Sequence, residues 1–281
     1  MKDSSQSSHA PILFDASCNG MQNLSALFSD IELGELSNVI ANDEEIPQDV
    51  YTDISVSVKE SIKKIEDESL RNIFNKIKVT RQLMNRPVMT IPYNVSLNSM
   101  QEQLVQDGFF IKHFESLTVN KGFSYTVNPD IVNNNEVLKL SNIEMGSPSP
   151  KFYMILYNSV YNRIPSLQVF KKYLDELINV LLKLNKPVVW TTPSGMTISL
   201  SNRKFKSYES KSLFIKKRSR SVTISLPTTS LDTRKIKRDF MPNFIHSMDA
   251  SNIQLLIQRL IEISDNTINL YTIHDWFCKY S

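Results

Sequence analysis

The chain has 281 residues, 41% hydrophobic and 22% charged, with a formal net charge of +3. That balance excludes a disordered polyelectrolyte and leaves enough apolar material for one large domain or two small ones. Two cysteines, Cys18 and Cys278, are too few for a disulfide framework, and no apolar run approaches the ~20 residues of a membrane span. A reducing compartment and no membrane partner are therefore expected. The opening MKDSSQSSHAP has neither the apolar core of a secretory signal nor the arginines of a transit peptide.

In chain order, APILF is a short apolar run expected as a buried strand, and Met21, Leu24, Leu27 and Phe28 then recur at helical spacing. Acidic residues dominate positions 30–68. From Pro47, which suits a first helical turn, Val50, Ile54, Val58 and Ile65 fall on one helical face. Leu70, Ile73, Phe74 and Ile77 repeat the pattern. In VTRQLMNRPVMTIPYNVS an apolar ridge lies between Arg81, Arg86 and Tyr93, and Pro87 and Pro92 argue against one uninterrupted helix. SLNSMQEQLVQDGFFIKHFESL is a further helix candidate, and GFSYTVNPDIVNNN reads as strand then turn. The segment 159–186 gives one or two helices with a break at Pro165. PVVWTTPSGMTISL and SVTISLP read as strands, the first folded at a Pro-Ser-Gly turn. Positions 203–238 are strongly basic, which fits either a polyanionic partner or a solvated loop. MPNFIHSMDASNIQLLIQRLIEI reads as a long helix, and INLYTI as a strand leading into His274 and Asp275. The expected fold class is α+β, mostly helical, with a small antiparallel sheet carrying both Asp15 and Asp275.

Those two aspartates each end an apolar run, FD and HD. Carboxylates at neighbouring strand ends could hold a pair of Mg²⁺ ions ~3.5–4 Å apart, since hard oxygen ligands suit Mg²⁺ that also binds phosphates. Turn or capping aspartates are the alternative. Arg81 and Arg86 could grip phosphate oxygens, and Tyr93 could stack on a base; a cationic amphipathic helix with a core tyrosine fits equally. His246 and Asp249 share a helical face at i, i+3.

Taken together, these stretches resemble a known family. FDASCNGMQNLSAL resembles motif A of the single-subunit, phage-type DNA-directed RNA polymerases, RQLMNRPVMTIPYNVS resembles motif B, and YTIHDWF resembles motif C. MPNFIHSMDASN is similar to the family's histidine-bearing helix. RPVMTIPYN and WTTPSG most resemble the polymerases of mitochondrial linear plasmids of fungi and plants. The resemblance runs from about Ala10 to Phe277.

The resemblance implies a polymerase catalytic region. The palm would occupy about 10–30 and 240–281, and the fingers about 45–240. It would add ribonucleotides from NTPs under the direction of a DNA template, using Mg²⁺, with nascent RNA as a further partner. Asp15 and Asp275 would be the metal-binding catalytic carboxylates, with His274 positioning the primer end. Arg81, seconded by Arg86, would bind the triphosphate, and Tyr93 with His246 would check the ribose 2′-hydroxyl. The implied compartment is the mitochondrion. The family's N-terminal promoter and template domain and its C-terminal extension are expected outside this chain, or on a separate one.

Three positions depart from the family pattern. Asn85 stands where the family has a lysine four residues after the motif B arginine, and Arg86 next to it is turned by about 100° on a helix. Asn94 stands for a glycine, though Asn tolerates left-handed backbone angles. Bulky Trp276 follows Asp275 in place of a small residue. An inactive remnant and a non-catalytic nucleic-acid-binding fragment are the competing readings. A DNA polymerase of the related superfamily is disfavoured by the His246 helix and by motif B.

Overall fold

The computed structural model describes residues 12–14, 16–41, 46–116, 121–133, 138–141, 148–211, 221–264, 270–273 and 276–279. The chain divides into two compact units, 1–169 with 267–281, and 170–266.

The first unit opens with β1 (Ile12–Phe14), α1 (Asn19–Phe28) and α2 (Ile31–Leu36). Next come α3 (Val50–Lys63), α4 (Glu68–Phe74), α5 (Arg81–Thr90) and α6 (Leu97–Gln106). The starts of α3, α4, α5 and α6 are each fixed by a side chain that takes up an orphan backbone donor. Asp49 accepts from Tyr51 N, Asp67 from Leu70 N, Thr80 from Leu83 N and Ser96 from Ser99 N. Pro47 thus precedes α3 rather than sitting in its first turn, because Asp49 supplies the cap. α5 runs through Pro87 and stops before Pro92. An interior proline removes one ladder bond, which is tolerated here because Leu83, Met84, Pro87 and Val88 are all buried on one face.

β2 (Phe110–Ser116), β3 (Lys121–Val127) and β4 (Lys139–Ser141) form an antiparallel sheet in that order. Only the first half of the helix expected at 96–117 forms. Gly108 adopts φ 79° after α6, and the chain then turns into β2. α7 (Pro148–Arg163) carries Phe152 and Tyr153 into a core with Phe74 and Phe110, at ring separations of 5.3–6.0 Å between Phe152 and its two phenylalanine partners. α3 packs against α7 and α5 through buried Ile54, Val58 and Ile62. Arg163 at the end of α7 bonds Asp53 of α3 and Glu32 of α2.

Near the C-terminus, β9 (Leu270–Ile273) and β10 (Trp276–Lys279) join β1 in a three-stranded antiparallel sheet ordered β1-β10-β9. Phe14 pairs with Phe277, and Trp276 with Ile273. β10 was not expected from the sequence. It is the central strand, so β1 and β9 both have partners.

The second unit holds most of α8 (Pro165–Lys183), the hairpin β5 (Val188–Thr191) and β6 (Thr197–Leu200), and the ribbon β7 (Arg203–Lys211) and β8 (Ser221–Leu231). It ends with α9 (Thr233–Ile263), capped by Asp232 accepting from Lys235 N. The Pro-Ser-Gly turn places Gly195 at φ 87°, as such a turn requires. Trp190 of β5 packs on Phe240 and Phe244 of α9, and its Nε1 donates to Ser247 Oγ at 2.9 Å. The turn is held by Ser194 N donating to Ser251 Oγ at 2.9 Å. The first part of the basic segment is therefore a strand paired with β8, not a loop. The coarse expectation of mixed helix with small antiparallel sheets is met.

Candidate nucleotide-binding site

The turn from β1 into α1 is built by residues 16–20. Ser17 Oγ and Gln22 Nε2 both donate to Ser37 O, which ties the turn to the end of α2. Cys18 is 7% exposed, and its carbonyl accepts from Met21 N and Gln22 N. Burial pushes the Cys18 thiol up, outweighing its contacts with Tyr51 and the Met21 backbone, so it stays protonated and is no nucleophile.

Two side chains from other helices converge on this turn. Tyr51, in the first turn of α3, donates its hydroxyl to Ser17 O at 3.3 Å. Burial first, and the neighbouring Cys18 second, push the Tyr51 hydroxyl well above its ordinary range, so it remains a neutral donor. Tyr93, just past α5, lies against Gly20. A Cβ built on Gly20 would sit 3.2 Å from the Tyr93 hydroxyl and 3.3 Å from Cε2 and Cζ. Only a residue without a side chain lets the ring approach this closely. After Tyr93 the chain turns through Asn94 at φ 61°, a left-handed conformation that Asn accepts where glycine is usual.

Arg81 opens α5. Its Nε donates to Asp49 Oδ2 at 2.7 Å, and its guanidinium lies 5.0 Å from the Tyr51 ring centroid. Asn85, one turn further along α5, is exposed. Arg86 points to the end of α6, where it pairs with Asp107 at 2.8 Å and reaches Gln103 O and Gln106 Oε1. Its donors are thus engaged on a different side of α5 from Arg81.

Thus Arg81, through Tyr51, and Tyr93, through Gly20, are both fixed to the turn that follows Asp15 in the sequence. His246 lies on α9 of the second unit, exposed, beside Ser247, which Trp190 anchors. Asp15, His274 and Asp275 lie outside the described residues. Among the described residues, no group of three His, Cys, Asp or Glu side chains could hold a metal ion, and no helix is long and apolar enough to cross a membrane. Sequence reasoning overlooked Gly20, Asp49 and Tyr51. For Gly20 there was a signal: a glycine in the first turn of an apolar helix, in a chain with only 6 glycines.

A family model described as DNA-dependent RNA polymerase matches residues 2–281. A probable DNA-directed RNA polymerase of Agaricus bitorquis is 37% identical over 274 residues, covering 96% of this chain and 23% of that protein. One of Neurospora crassa is 34% identical over 275 residues, covering 98% and 30%. The mitochondrial DNA-directed RNA polymerase of Schizosaccharomyces pombe is 29% identical over 280 residues, covering 98% and 22%. The chain spans less than a third of the length of these relatives. Its sequence belongs to the DNA-dependent RNA polymerase family, the single-subunit phage-type polymerases.

Proposed function

We propose that the chain carries out template-directed nucleotidyl transfer, adding ribonucleotides from NTPs to an RNA 3′ end on a DNA template. The observation that carries the reading is the convergence of Arg81 and Tyr93 on the turn after Asp15. Arg81 receives the triphosphate, its planar fork matching phosphate oxygens. Tyr93, seated against Gly20, reads the ribose, and His246 is a second group for that task. A site built to hydrogen-bond a hydroxyl rejects a sugar that lacks it, because its polar groups are left unpaired.

Asp15 and Asp275 are the proposed ligands for Mg²⁺, and His274 the residue beside the primer end. The pairing of Phe14 with Phe277 supports this, since these residues lie one before Asp15 and two after Asp275. Two carboxylates are the hard oxygen donors that Mg²⁺ prefers. When bound, Mg²⁺ would supply Lewis-acid stabilisation of the phosphoryl charge. The palm and fingers division and a mitochondrial location are parts of the same proposal, the latter resting on relatives such as the fission yeast polymerase.

The ribbon β7–β8 is the proposed contact for DNA. Its register puts Lys206 opposite Leu226 and Tyr208 opposite Ile224, so these four share a face. Lys206 Nζ lies 5.3 Å from the Tyr208 ring centroid, and Tyr208, Ile224 and Leu226 are each about half exposed. A cation beside an exposed aromatic suits a nucleic-acid strand. Lys204→Gln with Lys206→Gln should reduce the slope of log affinity against log salt by about 1.5–2. An unchanged slope would return the ribbon to a solvated surface element.

The reading is tested by incubating purified protein with an RNA primer on a DNA template and either NTPs or dNTPs. Extension with NTPs, release of pyrophosphate and strong preference over dNTPs are expected. DNA binding without extension would support the nucleic-acid-binding fragment instead. Gly20→Ala should change the unfolding midpoint little, since the helix preference of Ala offsets the displacement of Tyr93 that its Cβ forces. It should cut ribose selectivity roughly tenfold, because the displaced Tyr93 loses its alignment. A lower midpoint with intact selectivity would make Gly20 a packing residue only.

A further inference from the structure

The two contacts of Arg81 differ in kind. The pair with Asp49 faces solvent, with side-chain exposures of 56% and 34% for Arg81 and Asp49. Such pairs are weak and exchange readily. The Tyr51 ring beneath the guanidinium is fixed: Tyr51 is 6% exposed, and its hydroxyl is tied to Ser17 O.

Asp49 can also release Arg81 and remain hydrogen-bonded. Its Oδ1 accepts from Tyr51 N at 3.2 Å and its Oδ2 from Thr52 Oγ1 at 2.6 Å. With Arg81 gone, the carboxylate keeps both of these bonds and its role as the cap of α3, so it stays hydrogen-bonded. Burial alone would raise the Asp49 carboxyl, but the bonds from Thr52 and Arg81 hold it below its ordinary value, so it is ionised at neutral pH. A carboxylate at 2.7 Å occupies donor capacity that phosphate oxygens would need.

Resting on the reading of Arg81 as the triphosphate-binding residue, we propose that Asp49 is its resting partner, displaced by the incoming nucleoside triphosphate. Tyr51 meanwhile keeps the guanidinium over its ring and tied to the turn at Ser17. Asp49 and Tyr51 are positioning residues that act through Arg81. A triphosphate carries several negative charges against one on Asp49, so the exchange runs toward the nucleotide. The exchange also sets a threshold. Ligands with a single phosphate gain little from displacing one carboxylate by another anion, whereas the triphosphate gains from the difference.

The test is equilibrium binding of ATP, with AMP for comparison, to protein assembled on a primer–template whose primer ends in a 3′-deoxynucleotide. Asp49→Asn keeps the α3 cap, since Asn caps as well as Asp, and unfolding midpoints check that the variants are folded. Removing the competing charge should tighten ATP binding about two- to fivefold, and AMP, with no carboxylate left to displace, should gain as well. The gain should vanish when Asp49→Asn is added to Arg81→Ala. Tyr51→Leu should weaken ATP binding although Asp49 is still present. If Arg81→Ala weakens ATP binding while Asp49→Asn also weakens it or leaves it unchanged, Asp49 is a fixed support and the exchange is overturned. If Arg81→Ala has no effect on ATP binding, the triphosphate reading of Arg81 fails first, and the exchange with it.

Discussion

Asp275→Asn is expected to abolish nucleotide addition, and Asp15→Asn to do the same. The amide has nearly the shape of the carboxylate but no charge, so the change removes cation binding with little change in volume. Stabilisation of phosphoryl charge by a bound metal amounts to several kcal/mol. At about 1.36 kcal/mol per decade, the rate should fall by at least roughly 10³-fold. The fold should survive, because β1, β10 and β9 are joined by backbone pairing that neither side chain supplies. Primer extension together with an unfolding curve separates the two effects. Extension by either variant within tenfold of the parent rate would remove that aspartate from the chemistry.

Asn85→Lys is expected to raise the extension rate by on the order of 10²-fold. Position 85 is exposed and one helical turn from Arg81, so an ammonium there shares the face on which Arg81 sits. Charge grows on the leaving pyrophosphate as the bond breaks, and a cation placed there stabilises the transition state more than the ground state. Losing one preorganised donor at such sites costs about 10²–10³ in rate. A lysine added to surroundings that do not hold it recovers the lower part of that range. The new charge repels Arg81 at i, i+4, costing about 0.2–0.5 kcal/mol of helix stability, too little to unfold the domain. Arg86 is a poor substitute, because its guanidinium is bound to Asp107 and the end of α6. Single-turnover extension rates of parent and variant check the expectation. No gain in rate would mean that another feature, such as Trp276, limits the chain.

What the sequence made legible was local. The helices α3 and α5 carry their apolar faces at helical spacing, but their caps, Asp49 and Thr80, went unread, and the start of α3 was expected at Pro47 instead. The break at Pro165 and the turn at Gly195 were visible. β10 was not. Trp-Phe-Cys-Lys is too short to show alternation, and its strand character comes from being paired on both sides. β7 was hidden by its lysines and Arg203, which fitted a solvated loop as well as a polyanion-binding surface, although a two-stranded ribbon with both faces in water has no need of an apolar face. In the site, Arg81 and Tyr93 stood out as a phosphate-gripping cation and a stacking aromatic, and the resemblance then gave them roles. Asp49 and Tyr51 did not, because they meet Arg81 across a long stretch of sequence, 32 positions for Asp49, that only the packing of α3 on α5 brings together. Gly20 was visible as a rare glycine in a helical first turn, but nothing local says that a tyrosine will lie on it.

The central claim is that this chain selects each nucleotide by reading a template. The most direct measurement is single-nucleotide addition by the purified protein on four RNA–DNA scaffolds that differ only in the templating base. In each case the primer should lengthen by one residue with the complementary NTP, release one pyrophosphate, and fail to do so with the other three. Addition that ignores the templating base, or none on any scaffold by a folded protein that binds them, would contradict the account.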